Sequence, residues 1–265
     1  MDKKNIKYSD IIICNYDLIR RNKEVFEFLR NYDWGIVFYD NAHKAVTQKT
    51  IDVLYIKAEH KYALASTINR SDSKENELIK IFRSAMYNIT AKELVQKLYL
   101  KNLIYKKLEV SEFNKEQYIR GVIDNNSDKS ILVVGYSVKS MKSIAKKLNV
   151  MLINKDTNQN ERNKIVESFN NKKEKVVCCS NLIERYGFTD IDIMIDIGYR
   201  GKTPIEDHFR VGTLISTINQ LDKKTYAFKY YLIGNELESE QVENKVRFLK
   251  EFIVCSYDDE GGIDD

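Results

Sequence analysis

Short apolar runs alternate along this chain with longer charged stretches whose apolar positions recur at helical spacing. The runs Ile11–Cys14, Gly35–Tyr39, Tyr62–Ser66, Ile131–Gly135, Met151–Ile153, Val176–Cys179, Ile193–Ile197 and Tyr226–Ile233 are predicted strands. The stretches Arg21–Arg30, Lys74–Tyr87, Ala91–Lys97, Val138–Leu148, Asn160–Phe169, Ile205–Ile215 and Gln241–Phe252 are predicted helices. Strand followed by helix at this rhythm argues for an α/β fold with parallel sheets flanked by helices. A single proline, Pro204, leaves the helical stretches uninterrupted. The stretch Lys115–Ser130 is polar and without strong periodicity, and a fresh α/β unit starts at Ile131. The chain therefore divides into a first part at 1–90, a linker and start of the second lobe at 91–130, a fuller domain at 131–254 and an acidic, solvated tail at 255–265.

Composition narrows the class only slightly. Hydrophobic residues make up 43% of 265, enough for a real core. Lys and Arg exceed Asp and Glu by 43 to 39, an excess that permits a nucleic-acid partner without selecting one. No apolar run approaches the ~20 residues of a membrane-spanning helix. The start, Met-Asp-Lys-Lys-Asn-Ile-Lys, lacks the apolar core of a signal peptide. Cys14, Cys178, Cys179 and Cys255 form no C-x-x-C pair, and a reducing compartment is expected.

The richest chemistry lies in Trp34-Gly-Ile-Val-Phe-Tyr-Asp-Asn-Ala-His43. It reads as a buried strand whose carboxyl end carries Asp40, Asn41 and His43, the edge where open α/β sheets keep their sites. In nucleotide-hydrolysing enzymes a strand-end aspartate holds Mg²⁺. The bland reading is a buried strand capped by a polar turn.

The box Asp40-Asn41-Ala42-His43 resembles the D-E-x-H box of superfamily 2 helicases. Asparagine stands where that family has the glutamate that activates water, and an amide cannot accept a proton. Asn15-Tyr16 resembles the T-T-Y segment that touches the nucleic-acid backbone. Lys61-Tyr-Ala-Leu-Ala-Ser-Thr-Ile-Asn-Arg-Ser-Asp-Ser-Lys74 resembles K-L-G-L-T-A-T-L-V-R-E-D-D-K, motif III followed by the R-E-D signature of the XPB family, the DNA translocase subunit of TFIIH. Lys155-Asp-Thr-Asn-Gln-Asn-Glu-Arg162 with Phe169 resembles its G-x-T-S-Q-x-E-R…F segment, and Arg247-Phe248-Leu249 its R-F-L. Ser180, Gly187-Phe188 and Arg200-Gly201 resemble remnants of motif V and of the loop before motif VI.

The resemblance implies two RecA-like lobes with parallel sheets, the first incomplete and without its phosphate-loop strand, and ATP with Mg²⁺ as cofactors. An exposed apolar edge on the first part follows from that expectation. The resemblance implies catalytic roles for Asp40, Asn41, His43 and Arg210, with Asp40 the Mg²⁺ ligand if nucleotide binds. Coupling between lobes falls to Ser66, Thr67, Arg70 and Asp72. Nucleic-acid contact falls to Asn15, Tyr16, Arg162, Lys202 and Thr203. Structural alternatives stand beside these roles, among them turn residues for Asp40 and His43 and an ion pair for Asp72.

Three departures argue against ATP hydrolysis by this chain alone. The 265 residues contain no G-x-x-x-x-G-K-[S/T], Asn41 replaces the base, and motif VI is altered. Aligning Q-R-x-G-R-x-x-R on Arg210-x-Gly212 puts Thr213 at the finger arginine, and an ungapped alignment on Gly201 and Glu206 puts Gly212 there. The expected partners are duplex DNA, subunits of a TFIIH-like complex and a separate chain carrying the phosphate loop. The expected location is the nucleus, a nucleomorph or a viral factory. The alternatives are a non-catalytic interaction scaffold on a helicase fold, or a fragment of a viral or plasmid superfamily 2 helicase.

Overall fold

The computed structural model describes residues 10–47, 50–65, 75–82, 87–111, 114–180, 186–199, 205–249 and 253–256. They form two compact units, divided between Asn88 and Ile89.

The first unit is small. Asn15 and Asn22 each accept a hydrogen bond from the backbone N–H three residues on and so start helices α1 (Tyr16–Arg21) and α2 (Lys23–Asn31). Asn22 also ends α1, so the single helix expected at Arg21–Arg30 is two helices meeting at one asparagine. Strands β1 (Trp34–Tyr39) and β2 (Ala58–Ala63) pair in parallel, with Trp34 opposite Ala58 and Tyr39 opposite Ala63. The second strand thus lies earlier than the expected Tyr62–Ser66. Val25, Leu29, Tyr39, Val53 and Leu54 form the core under one side of this pair. Ile11–Cys14 is not a strand. Ile11 and Ile13 are 80% and 88% exposed, and no ladder partner stands beside them among the described residues. Helix α3 (Glu75–Ile81) closes the described part of this unit.

The second unit is built on seven strands, all pairing in parallel. They are β3 (Asn102–Glu109), β4 (Ile131–Gly135), β5 (Met151–Ile153), β6 (Val176–Ser180), β7 (Ile193–Asp196), β8 (Tyr226–Ile233) and β9 (Ile253–Ser256). Their spatial order is β5-β6-β4-β7-β8-β3-β9. The helices are α4 (Ala91–Gln96), α5 (Lys115–Asn125), α6 (Val138–Leu148), α7 (Gln159–Asn170), α8 (Ile205–Ile215) and α9 (Glu236–Phe248). The stretch 91–130 supplies α4, β3 and α5 to this unit, and the polar segment after Lys115 is helical. The last long helix starts at Glu236, earlier than the expected Gln241.

Strand β4 shows how both faces are filled. Ile131 and Val133 point into a core with Ile119 and Val122 of α5 and Met141 and Ala145 of α6. Leu132 and Val134 point into the opposite core, with Phe169 of α7, Val211 and Leu214 of α8, and Val242 of α9. A strand buried on both faces reads as an unbroken apolar run, which is why β4 was legible. Gly135 ends β4 without a side chain because a methyl group there would overlap Met141 Sδ. That absence lets α6 start close against the strand end.

This architecture predicts a graded hydrogen exchange. The amides of β4 and β7, paired on both edges, should exchange slowest, and those of the two-stranded β1–β2 pair should exchange faster. Mass-spectrometric exchange on the intact chain checks it, and equal protection in both sheets would refute it.

Candidate functional site

The parallel pairing of β1 and β2 brings their carboxyl ends together. Leu64 N donates to the Tyr39 carbonyl and Ala42 N to the Leu64 carbonyl, both at 2.9 Å. Asp40 follows β1 at this edge and is exposed. Tyr16 OH donates to the Asp40 carbonyl at 2.9 Å, so the start of α1 is fastened to the strand end. Burial, with the Asp40 charge beside it, pushes the Tyr16 phenol up to about 12. Asn15 is engaged as the cap of α1 through its side-chain oxygen.

Asn41 adopts the left-handed conformation, φ 51° and ψ 46°, and its Nδ2 donates to Asp40 Oδ2 at 3.2 Å. Asparagine tolerates that region far better than glutamate because its short amide bonds locally. The replaced base is therefore also a backbone adaptation. His43 sits in the 3₁₀ turn Ala42–Lys44, half-buried. Ser66, Thr67, Arg70, Asp72, Lys202 and Thr203 lie outside the described residues.

The fit to nucleotide and metal is incomplete. Asp40 offers one exposed carboxylate, and among the described residues no group of three or more His, Cys, Asp or Glu stands ready to hold an ion. Mg²⁺ bound through one carboxylate depends on substrate phosphates and water for its remaining ligands. No phosphate-cradling loop motif occurs in the 265 residues.

In the second unit Arg210 is buried, with 3% of its side chain exposed, and its Nη1 donates to Asp196 Oδ1 at 2.8 Å. It anchors a closed charge network. Lys229 Nζ lies 2.9 Å from Asp196 Oδ2 and 2.9 Å from Asp207 Oδ1, with no side-chain exposure. Tyr231 OH donates to Asp207 Oδ2 at 2.7 Å, and Tyr199 OH to the Asp196 carbonyl at 2.9 Å. Burial alone would raise the Asp196 carboxyl, but Lys229, Arg210 and Lys245 outweigh it and hold the carboxyl below its ordinary value. Arg210 is thus committed to a structural partner on β7. The signal for this network was present in the sequence: a lysine and an aspartate inside otherwise apolar strands must be paired when buried.

Arg162, on α7, donates from Nη2 to the Thr157 carbonyl at 2.9 Å and stacks over the Tyr186 ring at 4.8 Å. It braces the loop that precedes its own helix.

The feature that sequence reasoning missed is a cleft of about 440 Å³ at the carboxyl edge of the second sheet. Tyr136 and Ser137 follow β4, and Ile197, Gly198 and Tyr199 follow β7. The chain leaves β4 toward β5 on one side and β7 toward β8 on the other, so these neighbouring strands mark the topological switch point. Open α/β sheets bind ligands in that crevice. Ser137 caps α6 by accepting from Ser140 N, and Ser140, Ser143 and Lys147 continue along the cleft wall. Helix α6 carries no acid in its first turn and exposes Lys139, Lys142, Lys146 and Lys147. Lys115 and Glu116 of α5 and Glu238 of α9 complete the lining. The signal was Ser-x-x-Ser at a helix start directly after an apolar run.

The comparisons agree with this geometry. The helicase conserved C-terminal domain matches residues 114–226. The general transcription and DNA repair factor IIH helicase/translocase subunit XPB of Drosophila melanogaster is 23% identical over 90% of this chain and 35% of its own length. The DNA 3'-5' helicase XPB of Kineococcus radiotolerans is 19% identical over 96% of this chain and 51% of its own length. The chain is XPB-like: it resembles these helicases over most of its length. It spans about a third of the length of its animal and yeast XPB relatives. In structure, S. cerevisiae Dbp5 bound to RNA and ADP BeF3 superposes with a TM-score of 0.59 at 16% identity, over 89% of this chain and 61% of that one. A DEAD box protein of Methanococcus jannaschii gives a TM-score of 0.51 at 16% identity, over 91% and 63%. The structural likenesses show the fold of helicase lobes. This XPB-like chain shares that fold.

Two outcomes follow from the surroundings of Asn41 and Lys229. Asn41→Glu should lower stability by about 1–2 kcal/mol through left-handed strain and create no ATPase activity, whereas Asn41→Gly should leave stability near wild type. Thermal melts beside a phosphate-release assay check both parts. Lys229→Met, which leaves buried Asp207 without its cation and Asp196 with Arg210 alone, should cost about 3–5 kcal/mol in urea unfolding, and adding Asp207→Asn should recover part of that loss.

Proposed function

We propose that this chain is an XPB-like helicase-lobe subunit that holds duplex DNA by its backbone and does not turn over ATP by itself. The assembly it serves is a TFIIH-like transcription and repair complex in the nucleus. The observation that carries the DNA reading is the cleft between β4 and β7. Its wall presents the capped start of α6, the hydroxyls of Ser137, Ser140 and Ser143, and two lysines, Lys115 and Lys147. Hydroxyls, backbone N–H groups and lysines are the groups that position a protein on nucleic-acid phosphates. The names of the relatives support the assembly. Asn41 in place of the base and Arg210 buried on Asp196 support the absence of turnover.

A second reading, an interaction scaffold, draws support from the first unit. Ile36, Phe38, Tyr62 and Leu64 are 54%, 63%, 48% and 52% exposed, and Phe38 stacks on Tyr62 at 5.2 Å. Parallel sheets are ordinarily covered on both faces.

The test is fluorescence anisotropy of a labelled duplex with the intact chain between roughly 50 and 200 mM salt. Two to four phosphate contacts should give a log–log slope of about −2 to −4. Ser137→Asp should weaken binding about tenfold with an unchanged melting temperature. Phosphate release should stay at the buffer rate with or without DNA. Saturable binding without salt dependence would reject backbone contact.

A further inference from the structure

The cleft contains two lysines, and both are matched by carboxylates. Lys147 Nζ lies 2.8 Å from Glu116 Oε2 at the rim, with side chains 57% and 28% exposed. Lys115 is placed differently. Its side chain is only 6% exposed although it lines the cleft, and its ammonium donates to both oxygens of Glu238, at 2.9 and 3.3 Å. Glu238 reaches it from the first turn of α9, a helix packed on the other face of the sheet from α5. One ion pair thus spans the carboxyl edge from one face to the other.

Glu238 has a second task. Asn235 caps α9 by accepting from Glu238 N at 3.0 Å, and Glu238 Oε2 accepts from Gly234 N at 2.6 Å. A capping glutamate of this kind works equally well as glutamine, because the helix start needs only an acceptor. The negative charge is therefore surplus to capping. Its remaining use is Lys115, whose buried ammonium must have an anionic partner.

We infer that Lys115 is a phosphate ligand of the cleft and that Glu238 is its internal competitor, occupying it until a phosphodiester replaces the carboxylate. This rests on the backbone-binding reading above. The exchange conserves charge at Lys115, since one singly charged oxyanion group replaces another. Glu238 keeps its bond to Gly234 N or turns outward. The cost of displacing it lowers affinity, so the free chain is held in a weakly binding state.

The experiment measures duplex binding by the intact chain as wild type, Glu238→Gln, Glu236→Gln and the double variant Lys115→Met with Glu238→Gln. Glu236 lies on the same first turn, is exposed and does not line the cleft, so its neutralisation reports bulk charge alone. Glu238→Gln should tighten binding roughly tenfold, the scale of one charge-assisted contact less its desolvation. Its salt slope should steepen by about one contact's worth, ~0.9. Glu236→Gln should change affinity by less than about twofold, the range of an exposed charge. The double variant, which leaves no buried charge unpaired, should lose the gain. If wild type binds and Glu238→Gln matches Glu236→Gln, or the double variant keeps the gain, the competitor role is overturned while the backbone reading stands. If the wild type and every variant fail to bind duplex, both are overturned.

Discussion

Lys229 governs the second unit. It sits on the interior face of a parallel strand, with a carboxylate 2.9 Å away on each side and no surface exposed. A charge so placed cannot be solvated, so its partners must come to it. Asp196 answers from the neighbouring strand and Asp207 from α8, and Arg210 of α8 and Tyr231 of β8 in turn donate to those two carboxylates. The register of β7 on β8, the azimuth of α8 and the position of Tyr199 in the cleft wall are consequences of satisfying that one ammonium. Apolar packing of the same elements would tolerate small rotations of α8. A closed set of charged contacts does not, since each misplaced partner leaves a buried charge exposed to low dielectric.

The same network accounts for the surroundings of Arg210. An arginine that meets a phosphate must remain near solvent with a free guanidinium edge. Arg210 lies three residues from Asp207 on one helix face, and both are turned into the core. Arg210 there serves to hold α8 against β7. At the end of β1 a comparable local arrangement is seen, where Asn41 provides the left-handed turn and its amide leans on Asp40.

Legibility followed the strength of the local signal. β4, β5, β8, α6 and α8 lie at the residues the pattern indicated, because strands buried on both faces and amphipathic helices leave unbroken apolar signatures. Asn102–Glu109 was passed over although Leu103 and Ile104 are buried, since its outer half, Tyr-Lys-Lys, reads as polar. Lys115–Asn125 was passed over because its apolar stripe is only Ile119 and Val122 with partial help from Tyr118 and Ile123. The site was less legible than the fold. Family motifs pointed to Asp40 and Arg210, but the cleft is assembled from residues far apart in sequence, and no local pattern records that Glu238 meets Lys115.

The placement of β3 carries a consequence for how the second unit is made. This strand comes first among the seven, yet its neighbours are β8 and β9, and Asn102 bonds to a carbonyl 123 residues away. A chain emerging from the ribosome holds Leu103 and Ile104 without a sheet to join until nearly all of the unit has appeared. Such late, long-range closure slows folding and prolongs the life of an unpaired apolar strand. One side of the sheet is therefore completed by the first and last strands of the unit, and a nascent chain halted short of β8 holds β5-β6-β4-β7 with β3 still unplaced.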